Sequence, residues 1–206
     1  HLDNKYISCS SNISCTRLAR YLHDNRQPGY EFLHGIPGTI AGAVSMNAGA
    51  FESEIMPYVY SLDLLDENGM KHTLKNNELS YSYRTSNIDK KSIIVAVKLF
   101  KQTSNFDTNL LNLLNQKRKI SQPTNQLSCG CIFKNPCGEH AAKLIDDAEL
   151  KGSRAGGIYI SHKHSNYFIN DGTGTYKDFL ALLKRVKEII SSKFNIKLDE
   201  EVILLK

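Results

Sequence analysis

The feature that most constrains this chain is a glycine-rich stretch from Gly35 to Ala50, GIPGTIAGAVSMNAGA. Because glycine lacks a Cβ, the backbone here can approach a ligand closely and adopt positive φ angles. Where such a run begins a helix, its N–H groups can bind an anion or the edge of a flat polar ring. The spacing is neither GxGxxG nor GxxxxGK[ST], so the dinucleotide and P-loop motifs are excluded. A tightly packed helix seam is the alternative that spacing alone leaves open.

The composition is typical of a soluble globular protein with one large domain or two small ones. The chain has 206 residues, of which 41% are hydrophobic and 23% charged. No apolar run approaches a membrane span, and no charged-then-apolar leader is present. The net charge of +5 is mild, and its densest basic cluster, Lys117–Lys119, has no interleaved aromatic residues. We therefore expect neither a nucleic-acid nor a membrane partner.

The cysteines indicate a reducing compartment. Their count is five, and we expect no secretory leader and therefore free thiols in a bacterial cytoplasm. Cys129, Cys131, Cys137 and His140 follow a Cys-x-Cys-x5-Cys-x2-His pattern, which makes zinc an alternative. Structural zinc sites normally use two separated Cys-x2-4-Cys knuckles, and there is no second knuckle in this sequence. We expect no metal.

Hydrophobic periodicity and turn residues predict two α+β units. The elements expected in the first unit are a strand at Lys5–Cys9, a helix capped by Ser14, a hairpin of Val59–Leu65 with Met70–Leu74, and a buried strand at Ser92–Lys101. The elements expected after it are helices at Asn109–Lys119, Glu139–Glu149 and Tyr176–Lys193 and strands at Gly157–Ile160, Tyr167–Asn170 and Glu201–Leu205. Thr175 with Asp178 resembles a capping box for the last helix.

Four segments, in this order, resemble the UDP-N-acetylenolpyruvoylglucosamine reductase (MurB) family. They are GIPGTIAGAVSMNAGAFESEI from Gly35, SYSYRTS from Ser80, SCGCIFKNP from Ser128 and KLDEEVILL from Lys197. KLIDDAELKGSRAGG (Lys143–Gly157) and SHKHSNYFIN (Ser161–Asn170) also resemble its substrate-binding part. The similarity covers essentially the whole sequence.

The resemblance implies an α+β fold with an FAD-binding domain of the PCMH/vanillyl-alcohol-oxidase type and a MurB-type substrate-binding domain. We expect residues 1–104 to be the second FAD-binding subdomain, 105–196 the substrate-binding domain, and 197–206 a strand that returns to the FAD-binding part. The first FAD-binding subdomain, with a Gly-Gly-Gly-Ser-Asn type loop for the pyrophosphate, is expected to be missing, because nothing in His1–Arg26 resembles that loop.

The resemblance also assigns roles to three residues. Arg84 matches the arginine that polarises the enolpyruvyl carboxylate, which suits a cationic fork. Cys131 stands where the family usually has a serine that donates a proton, and a thiol, with a pKa near 8.5, gives up a proton more readily than a hydroxyl does. Glu201 matches a catalytic glutamate of a Pro-Glu-Val sequence, although Glu200 occupies the proline position here. A structural thiol and a solvated acidic pair are the alternatives for Cys131 and Glu201.

The remaining site residues are expected to bind ligands. The glycine-rich segment is expected to face the isoalloxazine and part of the diphosphate of FAD through Gly35, Ile36, Pro37, Gly38, Thr39, Gly42, Ala43, Asn47 and Gly49. Substrate is expected to contact Lys134, Asn135, Arg118, His164 and Asn166. Arg118 is selected by charge, as a diphosphate partner, and the others by resemblance.

The function that the resemblance implies is reduction of UDP-N-acetylglucosamine enolpyruvate to UDP-N-acetylmuramate, a step of peptidoglycan precursor synthesis. NADPH and FAD are the expected redox partners, and the nucleotide sugar is the expected substrate of a monomeric enzyme. The alternative is a truncated, non-catalytic remnant that at most binds a nucleotide sugar. Pigmentation and uptake of added FAD distinguish these hypotheses.

Overall fold

A computed structural model of the chain describes residues 5–205. Its helices and strands form two compact units, residues 1–117 and 118–206. The strands, in chain order, are β1 (Tyr6–Ser10), β2 (Gly49–Ala50), β3 (Ser53–Glu54), β4 (Val59–Leu65), β5 (Lys71–Lys75), β6 (Tyr81–Ser82), β7 (Thr85–Ser86), β8 (Ile93–Phe100), β9 (Arg154–Ala155), β10 (Ile158–Ile160) and β11 (Phe168–Asn170). The helices are α1 (Cys15–Asp24), α2 (Ile40–Ser45), α3 (Leu110–Ser121), α4 (Ala141–Asp147) and α5 (Tyr176–Phe194). The boundary between the two units lies inside α3, between residues 117 and 118, whereas the sequence predicted that the first domain ends at residue 104.

The first unit is built on an antiparallel sheet in the order β1-β8-β4-β5. Its predicted hairpin is confirmed, because β4 pairs with β5 across a turn that begins at Asp66. The Asp66 carboxylate accepts the N–H groups of Asn68 and Met70, both at 2.9 Å. Gly69 takes a φ of +77°, which an L side chain rarely adopts.

Helix α1 begins where the sequence predicted. The Ser14 hydroxyl accepts the N–H of Arg17 at 3.2 Å and so satisfies one of the helix's unpaired donors. The helix buries Leu18 and Leu22 on one face. Together with the buried face of β8 these side chains form the core of the first unit.

The second unit joins an antiparallel sheet, β11-β10-β9, to helix α5. The predicted capping box is present: the Thr175 hydroxyl accepts the Asp178 N–H at 3.2 Å, and the Asp178 carboxylate accepts the Thr175 N–H at 2.9 Å. The apolar stripe of α5 is buried in the core, as its spacing predicts, through Leu182, Leu183, Val186 and Ile190.

The predicted last strand, Glu201–Leu205, does not form. One bridge pairs Glu200 with Phe133, and the Glu201 N–H donates to the carbonyl of Ile132 at 2.8 Å. Beyond this point Ile203 and Leu205 are 86% and 83% exposed. The apolar run gave the expectation of a strand, but strand formation also needs a pairing partner for its backbone. No helix among residues 5–205 is long and apolar enough to cross a membrane.

Candidate active site

The glycine-rich segment folds into a loop and the short helix α2. Gly38 lies exposed at a φ of +99°, and nothing lies within 4 Å of the position that a Cβ would take. At Gly42 a Cβ would meet only the Thr39 hydroxyl, at 3.9 Å. The two glycines therefore leave exposed backbone against which a flat ring could lie. Pro37 is exposed beside them.

The start of α2 does not offer an anion site. The N–H groups of Ile40 and Ala41 donate to the carbonyls of Ile13 and Ser11, both at 2.9 Å. The Gly42 N–H donates to the hydroxyl of Thr39, the N-cap, at 3.4 Å. The first donors of this helix are bonded within the protein. The contact expected between the glycine-rich segment and part of the diphosphate is therefore not supported at these N–H groups.

Several expected cofactor residues have structural roles in the first unit. Ala43 is buried in the core, and the Gly35 N–H donates to the Thr16 hydroxyl at 3.1 Å. Ile36 packs against the same core, and its N–H donates to the Leu33 carbonyl at 3.1 Å. At Gly49 a Cβ would lie 2.3 Å from the Ser53 carbonyl oxygen. Close packing of the backbone thus requires glycine there, independently of any ligand.

Asn47 holds the turn that follows α2. Its side chain is fully buried and donates to the Glu54 carboxylate at 2.8 Å and to the Ser82 carbonyl at 2.9 Å. Its oxygen accepts the Met56 N–H at 3.2 Å. Both N–H donors of the amide are used. The expected contact between this side chain and a cofactor is therefore not supported.

Arg84 sits at the tip of the β6–β7 hairpin with a φ of +54°. Its guanidinium donates to the Gly49 carbonyl at 2.9 Å and stacks over the Tyr83 ring at 4.8 Å. The Ser86 hydroxyl donates to the Ser45 carbonyl at 2.7 Å, and Asn47 also bonds this hairpin. These contacts fix the hairpin against the glycine-rich segment, so the structure places Arg84 at Gly49, near the end of that segment.

In the second unit, Cys131–Lys134 lies between two other backbone segments. On one side the Ile132 N–H donates to the Asn166 carbonyl at 2.9 Å, and Cys131 is paired with Tyr167 in an antiparallel bridge. On the other side Phe133 is paired with Glu200. This strip is the feature that brings Cys131 and Glu201 into one region although they are distant along the chain.

The Tyr167 hydroxyl is the group on which the side chains of this region act. That hydroxyl forms a side-chain hydrogen bond with Cys131, and the charges of Arg118 and Glu201 act on it. Burial raises the pKa of the Tyr167 hydroxyl far above its usual range, the negative charges of Cys131 and Glu201 raise it further, and Arg118 opposes them. The thiol of Cys131 thus contacts the phenol of Tyr167, and the charges of a guanidinium and a carboxylate act on this pair in the second unit.

Arg118 occupies a different setting from the one expected. Only 7% of it is exposed, and its guanidinium donates to the Gln122 side chain at 3.1 Å. Burial lowers the pKa of the guanidinium, whereas the charges of Tyr167 and Cys131 raise it. A guanidinium stays charged in proteins, so Arg118 places a buried cation beside Cys131. Its charge alone suggested a diphosphate partner, and that role stays a prediction.

The structure separates the other expected substrate residues into buried and exposed ones. Asn166 is 2% exposed, and its amide bonds both the N–H and the carbonyl of Phe133, at 3.0 and 2.8 Å. It is therefore structural, and the expected substrate contact is not supported. Asn135 is exposed, but its side-chain oxygen accepts the N–H of Ala141 at the start of α4, at 3.1 Å. Lys134 is half-buried, and its N–H donates to the Asp199 carbonyl at 2.9 Å.

The imidazole ring of His164 packs against the phenol ring of Tyr167. Its ring centroid lies 4.7 Å from that of Tyr167 in a T-shaped arrangement. Burial lowers the pKa of the imidazole, which favours the neutral form. His164 thus belongs to the wall of the Cys131 region. Tyr167 itself was missed, because only the pairing of two distant segments selects it from the ten tyrosines of the sequence.

Glu201 also borders an open groove of about 650 Å³ in the second unit. The groove is mainly apolar, with the rings of Tyr176 and Phe179 on one side and residues 202–205 on the other. Cys129 is the thiol that borders it. Among residues 5–205, no three His, Cys, Asp or Glu side chains are placed to hold a metal ion. The zinc alternative for the cysteine cluster is therefore not supported.

Comparison with known proteins gives the family. The sequence-family model for the C-terminal domain of UDP-N-acetylenolpyruvoylglucosamine reductase matches residues 122–205. The sequence-family model for an FAD binding domain matches residues 1–75. The reductase of Fusobacterium nucleatum is 35% identical over 205 residues, covering all of this chain and 73% of that protein. The reductase of Caldanaerobacter subterraneus is 40% identical over 199 residues, covering 95% of this chain and 66% of that protein.

A solved structure agrees with these sequence relatives. The crystal structure of the reductase (MurB) from Thermus caldophilus matches with a TM-score of 0.79 at 31% identity, covering 91% of this chain and 68% of that one. The chain thus spans roughly two thirds to three quarters of the length of the relatives it matches. The fold, both domain models and the sequence relatives point the same way, and this chain belongs to the UDP-N-acetylenolpyruvoylglucosamine reductase family.

Proposed function

We propose that this chain reduces UDP-N-acetylglucosamine enolpyruvate to UDP-N-acetylmuramate with FAD and NADPH. The observation that supports the proposal is the bridge that pairs Cys131 with Tyr167, together with the charges of Arg118 and Glu201 that act on this tyrosine. A thiol beside a fixed positive charge is suited to release a proton. The bacterial cytoplasm and the monomeric state stay predictions from the sequence.

The residues present fit a flavin ring. Gly38 and Gly42 both expose backbone; a Cβ at Gly38 would point into open space, and one at Gly42 would meet only the Thr39 hydroxyl, at 3.9 Å. These two residues, with Pro37, would hold the ring, and the N–H groups at the start of α2 would not hold its diphosphate. When bound, FAD supplies the hydride, which it takes from NADPH.

The protein's own groups would handle charge and protons. Arg84, held beside the glycine-rich segment through Gly49, would bind the substrate carboxylate, where its charge stabilises the negative charge that develops during reduction. Cys131 would donate its proton to the carbanionic carbon of the substrate: the S–H bond breaks, the C–H bond forms, and the electron pair stays on sulfur. Glu201, whose charge acts on the Tyr167 hydroxyl beside Cys131, would assist this proton delivery.

The Gly42→Ala variant tests contact with the cofactor independently of protein stability. We expect the variant to be more stable by about 0.5–1 kcal/mol, because alanine is the better helix former and its Cβ meets only the Thr39 hydroxyl at 3.9 Å. We expect FAD affinity to fall about tenfold or more, because the methyl group would stand between the backbone and the ring. Thermal unfolding and FAD fluorescence titration measure the two effects. Unchanged affinity in a stabilised protein would place the flavin elsewhere.

Turnover tests the proposed function directly. Purified protein supplied with FAD should oxidise NADPH only when the enolpyruvyl nucleotide sugar is added, and mass spectrometry should show a product that has gained two hydrogen atoms. Anaerobic bleaching of the flavin by NADPH would report the first half-reaction alone. Protein that stays colourless and takes up no added FAD would favour the remnant hypothesis.

A further inference from the structure

Tyr167 and Cys131 are held opposite each other by the backbone. They form an antiparallel bridge, and the neighbouring bond from the Ile132 N–H to the Asn166 carbonyl fixes the register. The Asn166 amide, bonded to both backbone groups of Phe133, prevents a slip by one residue. Directly opposed residues point to the same face with their Cβ atoms roughly 5 Å apart. The contact between phenol and thiol is thus a consequence of the pairing.

The hydroxyl of Tyr167 hydrogen bonds with the sulfur of Cys131. The charged and titratable groups that face this pair come from several elements: the Arg118 guanidinium from α3, the Glu201 carboxylate from the C-terminal segment, and the His164 imidazole from the loop before β11. Arg118 is buried and the imidazole packs edge to face on the phenol. The pair is therefore shielded from water on these sides.

We infer that Tyr167 is a positioning residue for Cys131. The Tyr167 hydroxyl donates a hydrogen bond to the Cys131 Sγ, orients it, and stabilises the thiolate left after proton transfer. In the transfer the S–H bond breaks, the proton goes to the acceptor carbon, and the electron pair stays on sulfur. The hydrogen bond and the Arg118 cation then hold the negative sulfur until water returns a proton. The inference rests on the proposed function only for the identity of the proton acceptor.

The direction of the hydrogen bond follows from the two acidities. An ordinary thiol ionises near pH 8.5 and an ordinary phenol near pH 10. Burial and the nearby negative charges raise the pKa of Tyr167 still further. The phenol consequently keeps its proton over the range in which the thiol loses its own, so oxygen is the donor and sulfur the acceptor. A donor to a charged acceptor favours the charged form.

The test measures Cys131 ionisation without FAD or substrate. Alkylation of the folded chain by iodoacetamide, followed from about pH 6 to about pH 10, gives a midpoint for each thiol after digestion and mass spectrometry. A Cys129→Ser background leaves Cys131 as the sole thiol of the tryptic peptide that ends at Lys134. Cys137, exposed and in the next peptide, is the internal control.

Tyr167→Phe should raise the Cys131 midpoint by about one pH unit while the Cys137 midpoint stays unchanged. A fluorotyrosine at position 167 keeps the ring and its packing but is a stronger donor, so it should move the Cys131 midpoint down. These opposite shifts exclude a general loss of structure. Midpoints for Cys131 that agree within about 0.3 pH unit across all three proteins would overturn the inference.

Activity distinguishes this inference from the proposed function. If the midpoint shifts as expected and the FAD-loaded protein reduces the enolpyruvyl substrate, Tyr167→Phe should lower kcat for that reduction with little change in KM. If the midpoint shifts but no variant turns over, the positioning role stands and the proposed function is wrong. A shift shared equally by Cys137 would reflect unfolding and would count against the positioning role.

Discussion

Cys131→Ala is expected to reduce the rate of substrate reduction by about 10²–10⁴-fold, the range that loss of a general acid produces. The side chain that faces Tyr167 and Arg118 loses its only dissociable proton. Reduction of bound FAD by NADPH needs no proton from this thiol, so that half-reaction should proceed at nearly the original rate. Stopped-flow absorbance of the flavin measures the two half-reactions separately.

Two variants serve as controls for this result. Cys131→Ser supplies a hydroxyl, the group that the family resemblance implies at this position, and should retain substantial activity. Cys129→Ala removes a neighbouring exposed thiol and should leave both half-reactions unchanged. If Cys131→Ala slowed both half-reactions equally, or if the serine variant were inactive, the thiol would be structural.

Asn166→Ala should lower the free energy of unfolding by about 2–5 kcal/mol. The substitution leaves the N–H and carbonyl of Phe133 buried without the amide partners that now lie at 3.0 and 2.8 Å. Each buried polar group left unpaired costs about 1–3 kcal/mol. Urea denaturation followed by circular dichroism measures the loss. Activity should fall as well, because the same bonds hold the strip that carries Cys131.

Asn125→Ala is the matched control for this measurement. Asn125 is an exposed asparagine of the same unit, and its replacement should change the free energy of unfolding by no more than about 0.5 kcal/mol. Equal stability of the two variants would show that water replaces the Asn166 amide at Phe133. In that case Asn166 would again be available as a substrate ligand.

Local patterns were sufficient for most of the secondary structure. The hydroxyl of Ser14, the box of Thr175 with Asp178, and the turn at Asp66 each act within four residues, and the structure confirms all three. The prediction failed at Glu201–Leu205, where the apolar run has the composition of a strand but only Glu200 is paired, with Phe133. A strand depends on a partner that its own sequence does not contain.

In the candidate site, too, some features could be predicted from the sequence and others could not. The sequence by itself singled out Cys131, Arg84, Glu201 and the exposed glycines at 38 and 42, because their residue types and order resemble a known family. It gave Asn47 and Asn166 ligand roles that their hydrogen bonds do not support, since an amide that binds a ligand and one that holds a turn have the same residue type, and only burial distinguishes them.

The amino-acid sequence determined the α+β class, the helix starts, the hairpin and the family, because these depend on contacts between near neighbours or on residue order. Tertiary structure alone decided that Tyr167 faces Cys131, that Arg118 is a buried cation, and that the first N–H groups of α2 are already bonded. These facts depend on segments that meet only after folding, and burial then sets the acidity of the groups they bring together.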